Sequence, residues 1–185
     1  MRTDGTIEPS SGKGRPLGRG HLEAEGFGTL WIAWSEVGLV SIDFVEPPYR
    51  DAELAKESEV PGRFADPLTA YFGGEALEPA ALPVDLLGTE FQVRVWEALR
   101  RVPRGQVRTY AGIATDVGSP RAMRAVGMAN AKNPLPIVVP CHRIVEVGHK
   151  LGGYSGGLDR KRFLLRLEGV RVEEDLVLPG QLTLF

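Results

Sequence analysis

A single cysteine, Cys141, stands in a chain of 185 residues, and that count limits how the chain can fold. No intrachain disulfide can form, and no zinc site built on several cysteines can staple the structure. Stability must come from an apolar core, and a chain of 185 residues is long enough to bury one. Hydrophobic residues make up 43% of the sequence and charged residues 25%, the balance of a soluble globular protein. No apolar run approaches the roughly 18–20 residues of a membrane span, and the N-terminus carries no apolar segment of a secretory signal. A thiol meant to react needs a reducing compartment, so the expected location is the cytoplasm.

The cysteine closes an apolar run, Ile137-Val138-Val139-Pro140, and is followed by His142 and Arg143. The run predicts a buried strand or turn with the thiol at its end. The nucleophile is the thiolate, and a neighbouring base or cation lowers a thiol pKa from its free value of about 8.5. His142 is adjacent, but consecutive side chains on a strand point opposite ways, so contact requires a sharp turn after Pro140 or a bridging water. Taken alone, Cys141 reads better as a small core hydrophobe. The flanks favour chemistry. Asn133-Pro134-Leu135-Pro136 fixes the approach, and Gly152-Gly153-Tyr154-Ser155-Gly156-Gly157 supplies a flexible loop with two hydroxyls.

Charge divides the chain. Residues 1–87 hold 7 Lys/Arg against 15 Asp/Glu, whereas residues 94–166 hold 14 against 4. A basic block on an acidic chain is the electrostatic footprint of polyanion binding. Residues 1–20, rich in Gly, Ser and Pro, read as a mobile tail. Residues 21–85 read as a small α/β domain. Thr29 to Trp34 and Leu39 to Phe44 form a hairpin, residues 50–60 allow a short helix, and a helix starts at Asp66 (cap) and Pro67 and stops at Gly73-Gly74. Residues 79–88 are a linker. Residues 86–172 form a mainly helical domain, and 173–185 a C-terminal tail.

That second domain opens with a capping box, Thr89 with Gln92, and a helix carrying Val93, Val95, Trp96, Leu99 and Val102 on one face and Arg94, Arg100 and Arg101 on the other. A short helix after Thr109-Tyr110, a turn at Gly118, and a second helix capped by Ser119 describe a helix-turn-helix. The second helix carries small residues, Ala122, Ala125, Gly127 and Ala129, around Arg124. Such a surface approaches DNA closely but reads no sequence. A last helix, Leu158 to Leu167, ends at Glu168 and Gly169, and a Glu there opposes the helix macrodipole.

The stretch from Asn133-Pro134 through Pro140-Cys141-His142-Arg143 to Tyr154-Ser155-Gly156-Gly157 resembles the signature of the 6-O-alkylguanine-DNA alkyltransferases, the methylated-DNA–protein-cysteine methyltransferases. The resemblance covers about residues 27–170. It implies an α+β fold with a ribonuclease-H-like N-terminal domain and a C-terminal domain with a winged-helix-like helix-turn-helix. It implies suicide repair of 6-O-methylguanine, and of 4-O-methylthymine, in double-stranded DNA by alkyl transfer to Cys141, after base flipping from the minor groove. His142, oriented by Glu168, would deprotonate the thiol, and Tyr110 would donate to the ring nitrogen N3. Asn133, Ile144, Tyr154, Ser155 and Gly156 would form the substrate pocket, with Asn133 bonding backbone near the cysteine and carbonyls near Cys141 and Ile144 accepting from the guanine amino group. Ser119, Ala122, Ala125, Gly127 and Tyr110 would meet DNA, and Arg124 would fill the stack left by the flipped base. No metal or organic cofactor is expected, and the protein is expected to be a monomer. Apart from this family, Gln181, Leu182, Leu184 and Phe185 are similar to the short peptides with which bacterial proteins grip the sliding clamp. His21 and His149 receive no role.

Overall fold

In the segment Gly28–Trp34, Leu30, Ile32 and Trp34 are buried in strict alternation, as a strand with one face on a core requires. The computed structural model describes residues 16–47 and 56–178. In it β1 (Gly18–Ala24), β2 (Gly28–Trp34) and β3 (Leu39–Asp43) form an antiparallel meander, and β4 (Lys56–Glu57) runs parallel to β1 in the order β3-β2-β1-β4. The expected hairpin is therefore present. Of the tail expected through residue 20, residues 1–15 lie outside the described residues, and Gly18 to Gly20 pair with β2. Of the helix anticipated over 50–60, residues 50–55 lie outside the described residues, while Lys56–Glu57 is strand.

Helix α1 (Gly62–Phe72) packs Phe64, Leu68 and Tyr71 inward and begins after Pro61, earlier than expected. Asp66 is thus no cap, and Pro67 sits inside the helix. Its missing N–H leaves the Arg63 carbonyl without its usual helical donor. The helix ends at Gly73, and Gly74 takes a φ of +95°, which suits glycine. The stretch 79–88 is more than a linker. Leu39 N–H donates to the Pro83 carbonyl and Asp85 N–H to the Leu39 carbonyl, extending the β3 edge. Arg100, expected on a solvated face, is turned back to donate to the carbonyls of Pro79 and Leu82.

Helix α2 (Glu90–Arg100) starts with the reciprocal Thr89–Gln92 capping box. Trp96 is buried, and its indole N–H donates to the Ala129 carbonyl at 2.9 Å, tying α2 to the helix that carries the small residues. After β5 (Arg108–Thr109), α3 (Tyr110–Asp116) is capped by the Thr109 hydroxyl, which accepts from Gly112 N–H. The chain turns at Gly118 and enters α4 (Met123–Ala131). Ser119 does not cap α4. Its carbonyl accepts from Ala122 N–H, so Ser119 and Pro120 make a separate turn.

The apolar run before the cysteine is a turn, not a strand. Pro134, Pro136 and Pro140 lack N–H donors, so the segment cannot serve a ladder. Val139 N–H instead reaches back to the Leu135 carbonyl, and Ile137 adopts φ +77°. That conformation costs a β-branched residue about 1–3 kcal/mol. Burial of Leu135, Ile137, Val138 and Val139 offsets it, at about 1.5–3 kcal/mol per large side chain. A 3-10 turn (Cys141–Arg143) and β6 (Ile144–Val145) follow, β6 pairing with β5. Helix α5 (Leu158–Leu167) leads into β7 (Val172–Glu173) and β8 (Leu176–Val177). These last strands form a hairpin where a tail was expected from 173, because Val172 and Val177 have a small apolar cluster to enter. One core otherwise runs from the sheet through α1 and α2 to Cys141. Ile42 N–H donates to the Pro134 carbonyl across the two halves.

Candidate active site

Cys141 sits at the start of the 3-10 turn with only 1% of its surface exposed. It lies at the base of a cavity of about 300 Å³ whose walls include Tyr110, Gly127, Asn130, Tyr154 and Ser155. The Asn133 amide donates to the sulfur at 3.0 Å and to the Val139 carbonyl at 2.7 Å. Its oxygen accepts from Leu135 N–H, so the whole amide is fixed by the turn it spans. Burial pushes the Cys141 thiol up, while Asn133 and the Lys161 cation pull it down. The resting thiol is neutral, and a base must act for it to attack.

An imidazole is one residue away. His142 is fully buried, and its Nε2 lies 2.9 Å from Glu168 Oε1. Burial alone would raise the Glu168 carboxyl; His142 and Arg143 outweigh it and hold Glu168 far below the usual carboxylate range. An ionised Glu168 requires the hydrogen on Nε2, so a neutral His142 has its lone pair on Nδ1. Nδ1 is buried and has no hydrogen-bond partner among the described residues. Burial lowers the His142 pKa despite Glu168, which keeps the imidazole neutral at pH 7 and able to take a proton.

Arg143 joins this pair. Its Nε and Nη2 donate to the two Glu168 oxygens at 2.8 Å each, and Nη1 donates to the Val102 carbonyl. Glu168, the odd residue at the helix end, is the acceptor at the centre of a buried cluster. Lys161 was not anticipated. It is fully buried, donates to the carbonyls of Ile144, Leu151 and Gly153, and is pushed down to about 8 by burial. The signal was available, since Lys161 occupies the apolar face of α5 between Leu158 and Leu165.

The remaining expected residues divide. Tyr110, Tyr154 and Ser155 line the cavity with Cys141. Gly156 lies instead in a neighbouring cleft with Phe44 and Arg160, where a Cβ would come within 2.7 Å of the Phe44 ring. The Ile144 carbonyl accepts from Lys161 and the Cys141 carbonyl from Ile144 N–H. Arg124 is exposed on α4 and lines a second hollow with Tyr110, Gly127, Glu146 and Val147. Tyr110 and Gly127 belong to both hollows, so the hollow that Arg124 lines adjoins the cysteine cavity. Ala125 is exposed, Ala122 and Ser119 half-buried. His21 stacks on Trp31 and the His149 carbonyl accepts from Val177 N–H. Residues 181–185 lie outside the described residues. Among the described residues no cluster of three or more His, Cys, Asp or Glu is placed to hold a metal, and no helix is long and apolar enough to cross a membrane.

A buried cysteine with a fixed amide donor and a neutral histidine–carboxylate pair defines a cysteine-centred group-transfer protein. The family model of the 6-O-methylguanine DNA methyltransferase DNA-binding domain matches residues 90–170, and that of the ribonuclease-like domain of the same proteins matches residues 25–86. A methylated-DNA–protein-cysteine methyltransferase of Mycobacterium bovis is 44% identical over 82% of this chain and 92% of its own, and one of Methanosarcina acetivorans is 42% identical over 77% and 92%. The crystal structure of Mycobacterium tuberculosis OGT in complex with DNA aligns with a TM-score of 0.73 at 41% identity, over 82% of this chain and 92% of that one. The chain belongs to the 6-O-methylguanine DNA methyltransferase family. Its activity is DNA alkyl repair by methyl transfer to a protein cysteine, on a two-domain α+β fold with a ribonuclease-like first domain.

Proposed function

We propose that Cys141 takes the alkyl group of 6-O-methylguanine, and of 4-O-methylthymine, in a single irreversible turnover. The observation that carries this is the position of the only cysteine, lining a cavity of about 300 Å³ and followed in sequence by His142, whose Nδ1 is buried and has no hydrogen-bond partner among the described residues. His142, held by Glu168, takes the thiol proton through a bridging water. The thiolate attacks the methyl carbon in line. An S–C bond forms, the C–O bond breaks, and its electron pair passes to the guanine ring system, which regains a proton. Tyr110 donates to N3 and the Ser155 hydroxyl to the exocyclic oxygen, stabilising charge as it develops on the leaving base. Asn133 and Lys161 favour the thiolate, and Tyr154 walls the pocket.

The relative solved with DNA supports a duplex as the partner. The base is everted from the minor groove, since its reacting atom is out of reach within the stack. The winged-helix-like unit of α3 and α4 presents Ala122, Ala125 and Gly127 to the groove, reads little sequence, and inserts Arg124 where the base was. The protein acts as a cytoplasmic monomer; Gln181, Leu182, Leu184 and Phe185 either grip a sliding clamp or belong to a terminal strand on the core, and binding to isolated clamp by the full chain and by a chain lacking them separates the two. Incubation with a duplex bearing one 6-O-methylguanine, followed by intact mass, tests the reaction. The expected result is one added methyl, mapped to Cys141 and absent from Cys141→Ser, which still binds the duplex. Methyl on any other residue, or transfer by the serine variant, overturns it.

A further inference from the structure

The N-terminal domain reaches into the buried cluster with one side chain. Tyr71, on α1, is 1% exposed, and its hydroxyl donates to Glu168 Oε1 at 2.7 Å, across 97 positions of sequence. The same oxygen receives His142 Nε2 and Arg143 Nη2. Oε1 thus meets three donors, while Oε2 meets Arg143 Nε. The phenol is itself held, edge-on to Phe72 with centroids 5.2 Å apart, and with the Arg104 guanidinium 5.6 Å over its ring. Arg104 also donates to the Leu167 carbonyl at 2.7 Å and to the Glu75 carbonyl, so it braces the end of α5 against the end of α1.

We infer that Tyr71 is a positioning residue of the alkyl-transfer site, by which the first domain fixes and tunes the carboxylate that orients His142. The inference rests on the assignment of His142 as the base. A charged carboxylate that shares its oxygen with a phenol is a weaker acceptor for the imidazole. Tyr71 therefore helps keep His142 unprotonated near neutral pH, in the same direction as burial and the charges of Arg143 and Lys161. The groups facing Glu168 are Tyr71 from α1 and His142 and Arg143 from the cysteine turn, with Arg104 over the phenol. A tyrosine serving only as packing would leave His142 titrating as before.

The test is Tyr71→Phe, which keeps the ring and removes the donor. Leu68→Ala, buried on the same helix, is the packing control and His142→Gln the check on the underlying reading. The rate of methyl transfer from a methylated duplex is followed between about pH 5 and 9, with thermal melting alongside. The midpoint of the acid limb of Tyr71→Phe should rise by roughly half a unit to one unit, as His142 holds its proton more firmly. Tyr71→Phe should transfer up to about threefold more slowly at neutral pH, the loss of unprotonated His142 that such a shift implies. Site-specific 3-fluorotyrosine at position 71, a stronger donor of nearly the same shape, should move the midpoint the other way; it also decides the matter if the phenylalanine variant melts too easily to assay. Leu68→Ala should lower the melting point and leave the midpoint alone. An unmoved midpoint in both position-71 variants overturns the positioning role. Full-speed transfer by His142→Gln overturns the base assignment instead.

Discussion

Glu168 decides most of what happens at single residues. Removing its charge strands the Arg143 guanidinium, which is buried with the carboxylate as its only charged partner within the cluster. Breaking a buried pair from one side costs about 3–5 kcal/mol, so Glu168→Gln should lower the melting point well beyond a surface substitution. The pH dependence has a definite sign. Glu168 is depressed below its unfolded pKa of about 4.3, so its contribution is complete above that pH and is lost as pH falls towards the folded value. His142 is also depressed, below about 6.5, so the unfolded chain again binds the proton first and stability again falls on acidification. The melting point of the wild type should drop steadily from about pH 7 to about pH 2, and Glu168→Gln should flatten the part of that curve below about pH 4. A curve of equal slope in both proteins would contradict the cluster's electrostatics. At this scale Cys141, His142 and Glu168 were legible because a motif and a misplaced charge announced them. Tyr71 was not, because its position in the 64, 68, 71 stripe is ordinary for a core residue, and a hydroxyl's partner 97 positions away leaves no local trace.

Elements were legible where local chemistry and packing agreed. The capping box at Thr89 and the β2–β3 hairpin stand where propensity puts them. Ile137 to Val139, read as strand or turn, take the turn, since they have strand propensity but no strand to pair with and prolines on either side. The errors occurred where neighbours overruled propensity. Pro67 looked like a helix start, yet the core contacts of Phe64 carry α1 back to Gly62. Ser119 and Pro120 looked like the start of α4 but close a turn of their own, leaving α4 to begin at Met123 without a side-chain cap. Helix α4 gains its hold from Val126 and Ala129 in the core and from the Trp96 indole on the Ala129 carbonyl. Its outer face is thereby free to carry Arg124 beside the cavity mouth. Arg124→Ala should slow repair of a duplex lesion by tenfold or more, since the unstacking of a few kcal/mol is no longer offset, and should barely change the reaction with free 6-O-methylguanine. Equal loss on both substrates would remove the stack-filling role.

At the scale of the whole molecule, the two halves are one mechanical unit. Arg160 of α5 lies 5.3 Å over the Phe44 ring of the first domain and donates to the carbonyls of Phe44 and Gly156. Arg100 holds the connecting segment, and Tyr71 and Arg104 hold α1 against α5. The cysteine turn, His142 and Glu168 are consequently braced from both domains. The charge division complements this, with the basic half carrying the cavity and the acidic half turned to support. Affinity for undamaged duplex should fall steeply with salt and vary little among unrelated sequences, as expected when phosphates supply the binding. The central claim is that the protein is consumed by its own reaction. A titration of lesion-bearing duplex, in excess, against a known amount of active protein measures this directly. Lesions repaired should reach a plateau at one per chain and stay there on prolonged incubation; repair continuing past that ratio, with Cys141 recovered as free thiol, would contradict the account.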